Sequence, residues 1–209
     1  MNLVTTILSD IGNVVAFYDD DVACSAIANL AGLSPDDVKD AVYGNGRDQT
    51  RPFRRFMRGD FDGDGFRRGV SRSLMLTEDL PKAEFEKAFC DIFWPNYRVI
   101  GLWRILRLQG LTITAVSNLE SLRAAHLAKM GIFDVFDHRI LSFQEGLLKP
   151  SEELMIRALD ISGAAAEEAV FIDDKAKNLP PAEKLGIRTH CYGTFDGLLR
   201  FLLDNGVIC

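Results

Sequence analysis

The stretch Ile7-Leu8-Ser9-Asp10-Ile11-Gly12-Asn13-Val14-Val15 decides how the rest of the chain is read. Residues 3 to 8 are apolar or β-branched and are bounded by Asp10 and Gly12, which is the pattern of a short buried strand ending in a turn. Such a strand delivers one carboxylate to a loop. Asp10 is then either a turn former or a reactive group, and the remaining strand ends decide between the two.

Beyond this strand the pattern changes twice. From about Asp19 to Trp94 the apolar spacing is helical, with a helix start at Ser34-Pro35-Asp36-Asp37: a capping serine, a proline at the first helical position and acids favoured by the helix dipole. Phe53, Phe56 and Met57 continue the helical pattern. A further start at Thr77-Glu78-Asp79-Leu80-Pro81 leads into Phe85, Phe89 and Phe93. This segment is expected to be all-helical, with Phe89, Phe93 and Trp94 in its core. From Trp94-Pro95 onward, helices and short apolar strands alternate. A helix ending at Gly110 precedes the strand Leu111 to Val116, and strands follow near Arg139 to Leu141, at Ala169 to Ile172 and at Arg188 to Tyr192, with helices at Leu119 to Met130, Glu152 to Leu159, Ala182 to Leu185 and Phe195 to Leu203.

Apolar strands alternating with helices predict an α/β fold, a Rossmann-like parallel sheet with helices on both faces. The core is residues 1–15 and 96–209, and residues 16–95 are a helical insertion. In such sheets ligands bind at the carboxyl ends of the strands. Four of these ends carry unusual polar residues: Asp10, Ser117-Asn118, Lys149-Pro150 and Asp173-Asp174. Ser117 or Asn118 alone reads as a helix cap and Lys149 as one solvated lysine, but adjacent carboxylates at a strand end repel unless a cation or solvent intervenes. Together they form a chemical set: a carboxylate nucleophile, a hydroxyl and an ammonium for phosphoryl oxygens, and acids for a hard cation such as Mg²⁺.

The order Asp10-Ile11-Gly12-Asn13-Val14, Val116-Ser117-Asn118, Gly146-Leu147-Leu148-Lys149-Pro150 and Phe171-Ile172-Asp173-Asp174-Lys175-Ala176-Lys177-Asn178 resembles the four motifs of the haloacid dehalogenase superfamily of hydrolases. The insertion matches that family's cap. The Asp-x-Gly-Asn-Val form, with Gly59-Asp60-Phe61 ahead of a cap helix, is most similar to the branch containing sugar-phosphate phosphatases such as glucose-1-phosphate phosphatase. The resemblance implies a Mg²⁺-dependent phosphatase for a small phosphorylated metabolite, in which Asp10 attacks phosphorus to form an aspartyl-phosphate. It implies that Ser117, the backbone at Asn118, and Lys149 bind the phosphoryl oxygens. The metal falls to Asp10, the carbonyl of Gly12, Asp174 as principal ligand and Asp173 beside it, with Asn178 in support.

Gly12 departs from the commonest family pattern, in which a second aspartate at this position transfers protons to and from the leaving group and water. The acidic run Asp19, Asp20 and Asp21 reads first as a solvated face, and second as the nearest source of a substitute acid. A haloacid dehalogenase also uses an aspartate nucleophile without the second acid, but needs no metal. A weakly active or regulatory descendant is the third reading.

Other features exclude or narrow. A net charge of −6 argues against general affinity for nucleic acid or anionic membrane. Four cysteines without metal-ligand spacing read as free thiols, and Asp10 interrupts the only N-terminal apolar stretch, so a cytoplasmic protein is expected, with monomer and homodimer both left open. Asp60-Phe61-Asp62-Gly63-Asp64-Gly65 imitates a calcium loop but lacks the closing glutamate, and a helix-capping turn is preferred. Arg47, Arg51, Arg54, Arg55 and Arg58 concentrate positive charge, either facing a substrate anion or covering helix surface. His126, His138 and His190 receive no role.

Overall fold

The computed structural model describes residues 3–44 and 52–208. Arg47, Arg51 and Cys209 lie outside the described residues. The strands are β1 (Thr6–Ser9), β2 (Ala16–Tyr18), β3 (Phe93–Pro95), β4 (Thr112–Ser117), β5 (His138–Leu141), β6 (Ala169–Asp173) and β7 (Arg188–Cys191). The helices are α1 (Asp20–Ala31), α2 (Pro35–Val42), α3 (Pro52–Met57), α4 (Gly63–Ser73), α5 (Lys82–Cys90), α6 (Tyr97–Leu108), α7 (Ser121–Lys129), α8 (Ser142–Glu145), α9 (Glu152–Ser162), α10 (Pro180–Lys184) and α11 (Phe195–Asp204).

Five strands form one parallel sheet in the order β5-β4-β1-β6-β7. β1 is central, so both of its faces are covered and its side chains are all buried. Period-two alternation sends Ile7 to one face, with Ile113, Ala115, Val170 and Ile172 against α6, α7 and α11. Leu8 goes to the other, with Val116, Ile140 and Phe171 against α9 and α10. This double burial explains why the core strands read as continuous apolar runs.

The insertion has its own core, in which the stacked rings of Phe56 and Phe66 lie 4.5 Å apart and Phe85 and Phe89 complete a phenylalanine cluster. Ser34 caps α2 as its sequence predicts, accepting from the Asp37 amide at 3.2 Å. The expectation of an all-helical insertion through Trp94 is corrected at both ends. Ala16–Tyr18 pairs antiparallel with Phe93–Pro95 as a two-stranded ribbon where the chain leaves and re-enters the sheet domain. Phe93 consequently packs against the sheet core, and Trp94 is half exposed beside Phe17. Only Phe89 of that aromatic trio is buried in the insertion's core.

The insertion touches the sheet domain through specific contacts. Ser142 donates to the Met57 carbonyl at 2.6 Å. A Cβ at Gly59, where φ is +83°, would stand 2.2 Å from the Phe143 carbonyl oxygen. The Gly59-Asp60-Phe61 motif is therefore a close backbone approach, braced by Arg55 and Arg58 on Asp60. Asp62 caps α4 and Asp64 is held by Arg67 and Arg68, so the acids of the calcium-like run are occupied by a helix start and guanidinium groups.

Candidate active site

The sheet register assembles the polar strand ends. Ser9 lies opposite Ala115 on one side and Ile172 on the other. The next residue, Asp10, therefore falls beside Asp173 and one step short of Ser117. Its amide still donates to the Ile172 carbonyl at 2.8 Å, which fixes the carboxylate on the end of the ladder.

Asp10 Oδ1 is gripped three ways: by the Ile11 amide at 2.7 Å, by the Ser117 hydroxyl at 2.7 Å and by Lys149 Nζ at 2.9 Å. Oδ2 lies outside this set. The Lys149 ammonium also donates to Asp173 Oδ2 at 2.6 Å and to the Val116 carbonyl at 2.8 Å, and its side chain is 1% exposed. Asn118 positions this lysine through a reciprocal amide pair: its Nδ2 donates to the Lys149 carbonyl and its Oδ1 accepts from the Lys149 amide. The Asn118 side chain is thereby committed, which leaves its backbone for any ligand. Neither Ser117 nor Asn118 caps α7. Glu120 does, accepting from the Leu122 and Arg123 amides.

The fourth-motif acids divide their work. Asp173 is fully buried and both of its oxygens are used, Oδ2 by Lys149 and Oδ1 by the Lys175 amide and Asn178 Nδ2, each at 2.8 Å. Asp174 Oδ2 accepts from Asn13 Nδ2 at 3.1 Å, while its Oδ1 is buried with no hydrogen-bond partner among the described residues. A buried carboxylate oxygen without a donor is costly unless a cation meets it. The three carboxylates of Asp10, Asp173 and Asp174 present oxygens within 4.8 Å of one another. All-oxygen donors with one unfilled buried oxygen fit a hard divalent cation. Burial pushes the Asp10 carboxyl above its usual range, with the Lys149 ammonium opposing this and Asp173 adding to it.

A cavity of about 300 Å³ opens onto Asp10, Ser117 and Lys149. Its further walls come from the insertion and its hinge, among them Tyr18, Asp20, Tyr43, Phe53, Arg54 and Met57, and from Glu120 and Arg123 of the sheet domain. Arg123 is buried between the two. It donates to Asp20, to the Tyr43 hydroxyl and to the Phe89 carbonyl, and its guanidinium lies 4.1 Å over the Phe89 ring. Of the arginine cluster, only Arg54 among the described residues reaches the cavity wall.

Several functional contacts escape the sequence reading. Asn13 has φ of 56°, a left-handed conformation that asparagine tolerates, and this aims its carboxamide at Asp174. Its neighbour to a glycine in the first motif was the available signal. Asn96 anchors the first-motif loop through the Val14 carbonyl and the Tyr192 hydroxyl. Tyr18 lies against Gly12, and burial pushes its phenol up, opposed by Lys175. Nothing in local spacing marks Tyr18, Asn96 or Arg123, because their partners are remote in sequence.

Among known proteins, the chain is 25% identical over 195 residues to the D-ribitol-5-phosphate phosphatase of Bacteroides thetaiotaomicron, covering 90% of this chain and 91% of that one. It is 31% identical over 94 residues to the sesquiterpene phosphatase astK of Aspergillus oryzae, covering 44% of this chain and 48% of that one. The chain thus spans about half the length of the second relative and nearly all of the first. Among solved structures, a HAD family enzyme from Bacteroides thetaiotaomicron in complex with magnesium and inorganic phosphate superposes with a TM-score of 0.76 at 20% identity, covering 94% of this chain and all of that one. The L-2-haloacid dehalogenase of Xanthobacter autotrophicus superposes with a TM-score of 0.62 at 14% identity, covering 99% of this chain and 85% of that one. At these identities the structural likenesses speak to the fold, which phosphatases and dehalogenases share. The family model for haloacid dehalogenase-like hydrolases matches residues 73–186, more than half of the chain and three of its four strand-end motifs, and the protein belongs to that family.

Proposed function

We propose that the protein is a Mg²⁺-dependent phosphatase that hydrolyses a small phosphomonoester through an aspartyl-phosphate on Asp10. The observation that carries this reading is the pairing of a clamped carboxylate with an unsatisfied one: Asp10 held by Ser117 and Lys149, beside Asp174 Oδ1, which has no hydrogen-bond partner among the described residues. A dehalogenase attacks carbon without a metal and gains nothing from three converging carboxylates. The acid cluster therefore favours phosphoryl transfer.

In this reading residues 16–95 act as a cap over a core of residues 1–15 and 96–209, and the cavity between them takes the substrate. Asp10 attacks phosphorus. Lys149 and the Ser117 hydroxyl, with the Asn118 backbone, orient the phosphoryl oxygens and carry their charge, while Asp173 holds Lys149 in place. Asp10, Asp174 and the Gly12 carbonyl would hold Mg²⁺, with Asp173 and Asn178 supporting them. When bound, the ion neutralises charge on the nucleophile and the phosphoryl group. Likeness to the ribitol-phosphate phosphatase over most of its length supports a sugar or polyol phosphate, and a cavity of about 300 Å³ suits a small metabolite.

A panel of phosphomonoesters assayed with and without Mg²⁺, with Asp10→Asn as the blank, tests the proposal. The expected result is Mg²⁺-dependent phosphate release that the Asn variant reduces by at least about 10³-fold. Halide release from a 2-haloacid without metal, or undiminished turnover by the variant, would overturn it.

A further inference from the structure

The family's usual proton-transfer aspartate is replaced by Gly12, and the structure identifies what occupies its space. A Cβ built at Gly12 meets Tyr18 Cε1 at 2.9 Å, closer than real side chains approach. The Tyr18 ring therefore crowds the point where a side chain at position 12 would begin. Two contacts hold it there: the Phe93 ring, 5.8 Å away on the paired strand, and Lys175 Nζ, which donates to the Tyr18 hydroxyl at 3.2 Å. The hydroxyl oxygen accepts from lysine, so its own hydrogen is left to donate, and both residues line the cavity with Asp10.

Of the hinge acids, Asp19 and Asp21 are committed away from the cavity, and Asp20, on its wall, is tied to other side chains through Oδ1. Asp19 caps α1 through the Asp21 amide, Asp21 is paired with Lys39 at the surface, and Asp20 accepts from Tyr43 and Arg123. Tyr18 lines the same cavity and packs directly against the first motif, with its ring on Gly12.

The geometry points to Tyr18, steadied by Lys175, as the group that stabilises the leaving oxygen in place of the missing aspartate. This assignment rests on the phosphatase reading. Asp10 forms a bond to phosphorus as the P–O bond to the leaving alcohol breaks, and the electron pair stays on the alkoxide. The Tyr18 hydroxyl donates a hydrogen bond to that oxygen and the Lys175 ammonium compensates its charge. Water then protonates the alkoxide, and the hydroxide so formed attacks the phosphorus of the aspartyl-phosphate, releasing phosphate and regenerating Asp10. Tyr18 keeps its own proton throughout. Such a device helps poor leaving groups most and good ones hardly at all, whereas a purely structural role is blind to the leaving group.

The test is the leaving-group dependence of Tyr18→Phe, which keeps the ring over Gly12 and removes only the hydroxyl. On an alkyl phosphate kcat should fall about 10²-fold, the size of losing one oxyanion donor. On 4-nitrophenyl phosphate it should change little. Equal loss on both esters, or no loss on either, overturns the role of Tyr18 and leaves the phosphatase reading standing. A wild-type protein inert toward every ester with Mg²⁺ overturns both. A measurement without substrate or metal checks the steric half: Gly12→Ala should lower the thermal unfolding midpoint of the wild type but not of Tyr18→Ala. Equal penalties in both backgrounds would show that the ring does not hold that space.

Discussion

At the scale of single residues, the two fourth-motif acids have the same chemistry and different surroundings. Asp173 has donors for both oxygens, and replacing it would release Lys149 from its clamp. Asp174 has one oxygen with no hydrogen-bond partner among the described residues, so in the proposed site its carboxylate is the one open to a cation. Mg²⁺ should accordingly raise the stability of the wild type by about 2.7 kcal/mol at a hundred times its dissociation constant. Asp174→Asn should abolish most of that rise, as measured by thermal unfolding across a Mg²⁺ titration. An undiminished rise in the variant would remove Asp174 from the proposed metal site. The pair Asp173-Asp174 was visible in the sequence as a repulsion that a cation or solvent must relieve. Which of the two keeps an oxygen open to a cation was not, because that depends on where Lys149 and Asn178 end up.

At the scale of elements, α7 connects the site to the insertion. Its cap residue Glu120 is wholly buried beside Arg123, and burial pushes its carboxyl up to about 7, with Arg123 opposing. The folded protein therefore holds this proton to higher pH than the unfolded chain, whose carboxyl titrates near 4.5. The stability contributed by the group is fully present below that lower value and is lost as pH rises through about 7. Relative to Glu120→Gln, the wild type should lose about 3 kcal/mol of unfolding free energy between about pH 4 and pH 8. Denaturant melts of both proteins across that range would expose the difference, and parallel curves would contradict it. Helix starts such as Ser34 were legible because capping is local. The ribbon of β2 and β3 was not, since three-residue strands carry too little periodicity and their partners lie on opposite sides of the insertion.

At the scale of the whole molecule, the insertion and the sheet domain meet through backbone as well as side chains. Gly59 sits against the Phe143 carbonyl, and Gly63 leaves room for Leu122 of α7. Gly59→Ala combines a left-handed conformation with a contact no Cβ can make, and should cost about 2 kcal/mol or more. The loss should appear as a lower unfolding midpoint. A neutral substitution would mean that the two units do not press together at this point.

The sequence by itself determined the α/β alternation, the parallel sheet and the order of the four strand-end motifs, because each depends on periodicity or on neighbours a few residues apart. It also marked Gly12 as the departure from the family pattern. Tertiary structure alone decided what answers that departure. Tyr18 and Lys175 are 157 positions apart and Arg123 and Asp20 are 103 apart, and only the folded chain brings them together. The acids that sequence proximity offered as substitutes are drawn into a cap, a surface ion pair and a buried arginine. A side chain's partners are set by packing, and packing is a property of the fold rather than of the local run of residues.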